Sequence, residues 1–295
     1  MVISVQSNLI PHVGTVIKCR LENNVLTLEP QPFEADFCFC EFACERAFPA
    51  FAGSTKREKD FFTLYFENKD TENGTTEFYG VLNGSDFLLV DGVHGSVINN
   101  GFIIDFTKIH NLLGVGKYSF RIDIVEFTRE TQRTFKYFDV QPFNQKIADG
   151  TVKIEAVQNG EIESQFVYDN VPFSIRLFGK LHDRQEVFET IQNDTYNRQK
   201  EDIHTRSYFT YTLEIDSHSV NENSFVNSLL VNYSLANQIK ISDYNLARNQ
   251  FVYNELLVIR TEEAASIEND PKSQYAKYKI GFQDAIQNNI KHPFS

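Results

Sequence analysis

The sequence predicts a mainly β protein: an N-terminal β-sandwich (Ig-like or jelly-roll-like), then an α+β C-terminal part made of an antiparallel sheet with one packed helix. Two observations predict the strands. Short stretches of alternating apolar and polar residues recur along the chain, with turn signals between them. The 27 Phe and 13 Tyr residues favour pleated, half-buried surfaces. A single amphipathic helical stripe in the second half adds the α component.

Turn signals divide the first half into short strands. Asn23-Asn24, Asn73-Gly74, Asn83-Gly84 and Asn99-Asn100-Gly101 each lie beside alternating segments, and such turns are typical of hairpins. We therefore expect a β-sandwich domain over residues 1–143. Its predicted strands are 16–20, 25–28, 36–42, 62–66, 77–82, 87–90, 97–104, 118–124 and 134–140.

Three connecting segments carry their own signals. The segment 107–113 predicts a short helical turn that is capped by Thr107 and ended by Gly114. The charged run 56–60 mixes both signs, which favours an exposed loop over a binding patch. The segment 143–150 is polar and lacks a pattern, so we expect the domain boundary there.

The second half, residues 150–295, contains further strands of the same period. We expect 187–191 to pair with 173–177 as a hairpin, and the polar segment 193–202 to be exposed. A polar tail, 284–295, ends the chain. The predicted strands are 152–154, 165–168, 173–177, 208–215 and the alternating run Tyr278, Ile280 and Phe282.

The stretch 224–261 predicts a helix, a short strand, a polar turn and a long strand. Apolar residues from Phe225 to Ala236 fall within an arc of about 140° on a helical wheel, wide enough to lie on a sheet. Ile239 and Ile241 then alternate with polar residues, so the period changes from helix to strand. Asp243-Tyr244-Asn245 supplies turn chemistry, because Asp and Asn side chains bond their own backbone.

Charge and hydropathy exclude some functions. The net charge of −12 argues against a nucleic-acid surface, which would need a basic stripe. The N-terminal stretch has no basic region followed by an apolar run, so we expect no signal peptide. No stretch approaches the length of a membrane span, and no membrane partner is expected. We expect a protein made and folded in a cytoplasm.

All four cysteines, Cys19, Cys38, Cys40 and Cys44, lie near the N-terminus. The C-x-C-x3-C cluster could hold zinc with Cys19 as the fourth ligand, but structural zinc sites use C-x2-C knuckles. Interleaved Phe residues favour buried, reduced thiols that behave as small hydrophobes. Disulfides are disfavoured by the absent signal peptide. The sequence leaves the metal alternative open.

A search for catalytic motifs finds none. The sequence contains no G-x-S-x-G, H-E-x-x-H, G-x4-G-K-[ST] or G-x-G-x-x-G pattern, so we expect no enzyme activity and no cofactor. His94 lies in a Gly-rich segment beside an acid, which favours a surface turn. A pair of carboxylates for glycoside cleavage stays open as a weaker alternative. None of the seven histidines has a metal-ligand neighbour: His12, His94, His110, His182, His204, His218 and His292.

Three groups of residues carry a family resemblance: Leu229-Leu230, the run Ile239-x-Ile241-Ser242-Asp243-Tyr244-Asn245, and Tyr275-x-x-Tyr278-x-Ile280-x-Phe282. With them the chain resembles neck, collar, tail-ring or baseplate structural proteins of tailed bacteriophages of Bacteroidetes-type hosts, crAss-like phages included. The resemblance covers mainly residues 150–295, where it implies a tail-terminator-like ring domain. The clustered cysteines are not part of the family pattern.

The resemblance implies a non-enzymatic virion protein, assembled in the host cytoplasm, that forms a ring with copies of itself and contacts other neck or tail proteins. It implies no cofactor and no catalytic residue. We expect oligomer contacts in the tail and in the polar segment 193–202, at Ile286, Ile290, Phe294, Tyr196 and Arg198. The alternative for the tail is a frayed terminus. The alternative function is a receptor- or carbohydrate-binding module, although Trp, the best stacking platform for sugars, is absent.

Overall fold

The computed structural model describes residues 2–4, 19–22, 25–28, 47–65, 67–68, 75–83, 85–98, 101–126, 129–162, 166–194, 200–217, 236, 238–245, 253–261, 266–269, 276–286 and 288–291. This part of the chain is mainly β, in largely antiparallel sheets, which confirms the predicted fold class. The predicted helix from Phe225 to Ala236 lies outside the described residues, apart from Ala236.

The described part of the N-terminal half contains three sheets. Its elements are β1 (Val2–Ser4), β2 (Cys19–Glu22), β3 (Val25–Leu28), β4 (Phe48–Ala52), β5 (Phe61–Tyr65), β6 (Glu67–Asn68), β7 (Thr75–Leu82), β8 (Ser85–Leu88), β9 (Gly95–Ile98), β10 (Gly101–Asp105), α1 (Phe106–Leu113), β11 (Gly116–Glu126) and β12 (Arg129–Pro142). One sheet has five strands in the order β4-β12-β11-β7-β8, one has three in the order β5-β10-β9, and one has four in the order β3-β2-β1-β6.

Phenylalanine rings fill the core of this half. Phe138 lies 4.8 Å from Phe62, 5.2 Å from Phe106 and 5.8 Å from Phe120 between ring centroids, and all four are buried. The predicted hairpin at Asn83 is confirmed, because β7 and β8 pair up to Leu82 and Ser85 across it. Tight aromatic packing of this kind removes a large apolar area from water.

The predicted cap of α1 was wrong by two residues. The side chain of Asp105, not Thr107, accepts hydrogen bonds from the backbone N–H groups of Thr107 (2.9 Å) and Lys108 (3.3 Å). A carboxylate immediately before the helix reaches the free N–H groups of the first turn, whereas a residue inside that turn cannot. The predicted stop at Gly114 is confirmed, with φ of 87°.

Six strands of the second half close on themselves as an antiparallel barrel. The elements of this half are α2 (Gln145–Ala148), β13 (Thr151–Ile162), β14 (Phe166–Asp194), β15 (Lys200–Ser217), β16 (Gln238–Asp243), β17 (Tyr253–Arg260), β18 (Ser266–Asn269), β19 (Ala276–Asp284) and β20 (Asn288–Lys291). Pairing runs from β13 to β14, β15, β19, β17, β16 and back to β13, while β18 and β20 extend the sheet. The barrel interior holds the predicted alternating residues, including Ile241, Leu213 and Ile280.

The predicted hairpin between 173–177 and 187–191 was wrong, because both segments belong to the single strand β14. The first part of β14 pairs with β13 up to Phe178, and the second part pairs with β15 from Gly179 onward. Gly179 makes this change of partner possible: a Cβ there would lie 2.3 Å from the carbonyl oxygen of Glu214. Glycine is the residue that permits such close backbone approach.

Candidate functional site

Polar contacts join the segment Asp243-Tyr244-Asn245, at the end of β16, to distant parts of the chain. All three residues are buried, although the sequence predicted a polar turn. The turn chemistry itself is present, because the Asp243 carboxylate accepts a hydrogen bond from the N–H of Asn245 at 2.9 Å. The same carboxylate accepts the N–H of Leu181, and the Asn245 amide donates to the carbonyl of Asp149. The segment therefore ties three parts of the chain together.

Tyr244 carries these contacts into the N-terminal half. Its hydroxyl donates to the carbonyl of Arg57 at 2.7 Å, and the Arg57 guanidinium lies 4.7 Å from the centre of its ring. Burial raises the pKa of Tyr244, which keeps the hydroxyl protonated as a donor. Tyr244 also packs with Phe51 and Ala148, against which Phe143 and Ile147 of the predicted boundary segment lie. The segment 143–150 is thus a packed junction that contains α2.

A buried ion pair crosses the same junction. Arg176, on the outer wall of the barrel, donates to both carboxylate oxygens of Asp60, at 2.8 and 2.9 Å. The Arg176 guanidinium lies between the rings of Phe51 and Tyr244, 4.7 and 4.9 Å from their centres. Burial alone would lower the pKa of Arg176, but the Asp60 carboxylate outweighs it and the pKa is raised. Arg176 therefore stays charged in the interior.

Lys153, on the outer wall of the barrel in β13, is the second buried cation. Its ammonium group donates to the carbonyls of Lys56 (3.3 Å) and Lys59 (3.0 Å) and lies 3.2 Å from the Glu155 carboxylate. We call residues 54–60 the latch, because their carbonyls and Asp60 hold Lys153 and Arg176. The prediction of an exposed loop was wrong for Asp60, which is buried so that it can balance these cations.

A second charged cluster lies elsewhere on the barrel wall. The Glu214 carboxylate is buried and contacts the ammonium groups of Lys180 (3.2 Å) and Lys277 (3.1 Å), with His182 Nε2 at 3.5 Å. Burial alone would raise the pKa of Glu214, but Lys277 and Lys180 outweigh burial and the pKa lies below its ordinary value. These groups hold neighbouring strands together, because Lys180, Glu214 and Lys277 come from β14, β15 and β19.

The barrel carries a three-stranded extension that we call the ribbon. It consists of 185–194 of β14, 200–210 of β15, and β20, which pairs with 204–207 of β15. Most of this ribbon continues beyond β19, whose pairing with β15 ends at Thr210. Phe188, on the ribbon, is 65% exposed. Ile286, on the turn that leads into β20, is 76% exposed. Phe188 opposes Ser207, which opposes Asn288, so these three residues share one face of the ribbon.

Polar contacts hold the ribbon at its base and along its length. Asp284 accepts the N–H of Phe209 at 3.0 Å and the hydroxyl of Tyr211 at 2.9 Å. Burial raises the pKa of Tyr211, and the Asp284 carboxylate raises it further, so the hydroxyl remains a donor. Farther out, Glu189 on β14 accepts hydrogen bonds from Arg206 and Tyr208 on β15. The ribbon is therefore a fixed element with exposed apolar side chains.

The predicted contact residues fall into two groups. Ile286 lies on the exposed turn between β19 and β20, and Ile290 lies within β20, opposite Thr205. Tyr196, Arg198 and Phe294 lie outside the described residues. Sequence reasoning missed Phe188 and the buried latch. The available signal for the latch was Lys153 and Arg176, each a cation between two apolar residues of an alternating strand.

Two features are absent from the described part of the chain. No group of three or more His, Cys, Asp or Glu there is placed to hold a metal ion. Cys38, Cys40 and Cys44 lie outside the described residues, so the zinc alternative stays open. His94 lies in the predicted turn, where its Nδ1 accepts the N–H of Val90 at 3.0 Å. No helix among the described residues is long and apolar enough to cross a membrane.

Comparison with known proteins gives a structural similarity but no sequence match. No protein family and no curated protein sequence matches the chain. Among solved structures, the chain is similar to a chain from the tail of an empty GTA particle with C6 symmetry, with 8% sequence identity and a TM-score of 0.24. The similarity covers 49% of this chain and 96% of that chain. A likeness of this size does not establish a common fold.

Proposed function

We propose that this protein is a non-enzymatic structural component of a tailed-phage virion, part of the neck, collar or tail, that assembles with copies of itself into a ring. The observation that carries the proposal is the ribbon, a paired sheet extension that continues beyond a closed barrel. It exposes Phe188, and the turn that leads into its strand β20 exposes Ile286. Exposed apolar side chains on a fixed sheet extension are typical of sites that contact another chain.

The barrel and the latch supply the rigidity that a ring subunit needs. Among the described strands of the barrel, closure leaves few free edges, so strand pairing with another copy would use the extensions. The contacts of Asp60 with Arg176 and of the latch carbonyls with Lys153 fix the N-terminal half against the barrel wall. A ring closes only if each subunit presents its two contact surfaces at a constant angle, which a rigid junction provides.

Native mass by light scattering, followed by negative-stain imaging of the same sample, tests this function. We expect closed rings, either from the protein alone or on mixing with other virion proteins. The double variant Phe188→Ser with Ile286→Ser should lose the assembly while keeping the folded far-UV spectrum. Ile259→Ser is the matched control, because Ile259 is an exposed apolar residue of the barrel outside the ribbon. A strict monomer that joins no assembly but is retained on a glycan array would overturn the proposal in favour of a binding module.

A further inference from the structure

His94 closes a turn through its imidazole ring. Its Nδ1 accepts the backbone N–H of Val90 at 3.0 Å, and its own backbone N–H donates to the carbonyl of Val90 at 3.0 Å. These two bonds close the turn 90–94, which connects β8 to β9. An imidazole nitrogen accepts a hydrogen bond only while it carries no proton. The turn therefore holds His94 in the neutral form, with the ring proton on Nε2.

The turn 90–94 is attached to the start of α1. The carbonyl of His94 accepts the N–H of Asp105 at 3.0 Å, and the carbonyl of Gly92 accepts the Lys108 ammonium group at 2.8 Å. Asp105 caps α1, and Lys108 lies in the first turn of this helix. The His94 ring also contacts the ring of Phe87, with 5.5 Å between centroids. A change in the turn is therefore felt at the N-terminal end of α1.

The charged groups around the turn do not supply a counter-charge for a protonated ring. Asp86 on β8 pairs with Arg121 at 2.6 Å, and Asp91 in the turn accepts the N–H of Val97 at 3.0 Å. Asp105 accepts the first N–H groups of α1. The other titratable groups nearby are Lys108, which adds positive charge, His110, which lies across the helix from Lys108, and Tyr118, which packs behind Phe87.

His182 shows the opposite arrangement. Its Nδ1 lies 2.8 Å from the Asp183 carboxylate, and its Nε2 lies 3.5 Å from the Glu214 carboxylate. Among the described residues, the ion pairs that involve a histidine are these two, so His94 has none. A proton on His182 is met by a carboxylate on each side. A proton on His94 Nδ1 instead replaces a hydrogen bond with two donors that face each other.

We propose that His94 is a pH-sensitive switch: in mild acid its Nδ1 takes up a proton, the Val90 N–H loses its acceptor, and the turn 90–94 loosens from α1. The switch lies within one copy of the chain and is independent of ring assembly. Burial lowers the pKa of His94 below its ordinary value of 6.5, so the unfolded chain binds this proton more readily than the folded chain. The stabilisation by the neutral ring is complete above about pH 6.5 and is lost as the pH falls toward the folded pKa.

Hydrogen exchange resolved to single residues tests the switch. We expect the protection factor of the Val90 amide, corrected for the intrinsic pH dependence of exchange, to fall about two- to tenfold between about pH 7.5 and pH 5, the effect of losing one neutral hydrogen bond. His94→Asn is the matched control, because the side-chain oxygen of Asn can accept the same N–H and does not titrate. An unchanged protection factor in the wild type, or an equal fall in His94→Asn, would overturn the inference.

The link to α1 is tested in the same experiment. Protection of the Asp105 amide should fall together with that of Val90, whereas the Thr261 amide, which donates to the Gly281 carbonyl in the barrel, should keep its protection. A fall at Val90 without a fall at Asp105 would overturn the coupling to the helix.

Nitrogen-15 NMR of the wild-type imidazole provides a measurement that needs no substitution. We expect His94 to carry its proton on Nε2 at neutral pH and to titrate with a midpoint below 6.5. A proton on Nδ1 at neutral pH, or a midpoint at or above 6.5, would overturn the inference.

Discussion

Arg176 and Asp60 are joined by two parallel hydrogen bonds, of 2.8 and 2.9 Å, between residues 116 positions apart in the chain. The pair is buried and connects the outer wall of the barrel to the latch of the N-terminal half. Two-pronged pairing of a guanidinium with a carboxylate fixes both distance and orientation. Among the described residues, Asp60 is the only carboxylate that lies within 4 Å of both buried cations of the junction, Arg176 and Lys153.

Removal of Asp60 tests the energetic importance of the junction. We expect Asp60→Ala to lower the free energy of unfolding by about 3–5 kcal/mol, because Arg176 would stay buried without its counter-charge and Lys153 would keep only Glu155. Urea unfolding measures the change. Asp86→Ala is the control, since Asp86 forms an exposed pair with Arg121 and should contribute about 0–1 kcal/mol. Equal effects of the two substitutions would contradict a structural role for the latch.

A double variant separates the cost of an unpaired buried charge from the cost of lost packing. Asp60→Leu combined with Arg176→Met should cost less than Asp60→Ala alone, because a buried pair replaced by apolar groups leaves no unpaired charge from either partner. A cost equal to the sum of the single changes would mean that the two residues do not interact.

β14 changes its partner strand from β13 to β15 at Gly179, which gives a prediction for this residue. We expect Gly179→Ala to destabilise the protein by about 1–3 kcal/mol, because the new methyl group meets the Glu214 carbonyl at 2.3 Å and backbone has to shift. Gly150→Ala is the matched control, since its Cβ would have 3.7 Å to the nearest atom, the Ile147 carbonyl oxygen. Thermal unfolding of both variants checks the prediction, and equal melting temperatures would contradict it.

Period-two alternation predicted the strands of the barrel well because the interior residues Leu213, Ile241 and Ile280 alternate with polar residues of the outer wall. It did not predict β4, because Pro49 weakens a strand signal, yet an edge strand tolerates the missing N–H. The single strand β14 was also missed, since alternation does not reveal where a strand changes its partner. These features depend on contacts between distant segments.

The latch shows the same limit for the site. Lys56 to Asp60 is a charged run of a kind that is normally solvated, and nothing local distinguishes Asp60 from its neighbours. Its burial follows from Lys153 and Arg176, which are about a hundred residues away in sequence and meet it only in the folded chain. Ile286 could be predicted as exposed because it stands alone among polar residues, while Phe188 sits in an alternating strand that also suits a core position.

The Glu214 cluster predicts a pH dependence with a definite sign. The folded-state pKa of Glu214 lies below its ordinary value of 4.5, so the folded state holds this proton less readily than the unfolded state. The stabilisation is present above about pH 4.5 and is lost as the pH falls through the folded pKa. We expect Glu214→Gln to flatten the decline of the unfolding free energy below pH 4.5. An unchanged slope in urea titrations from pH 6 to pH 3 would contradict the assignment.

The N-terminal cap of α1 gives a prediction at Asp105. Asp105→Ala should cost about 0.5–2 kcal/mol, because the N–H groups of Thr107 and Lys108 lose their acceptor, whereas Asp105→Asn should cost little since Asn also caps helices. Hydrogen exchange at the Lys108 amide should accelerate in the first variant only. Equal exchange rates of the Lys108 amide in the two variants would contradict the assignment of Asp105 as the cap.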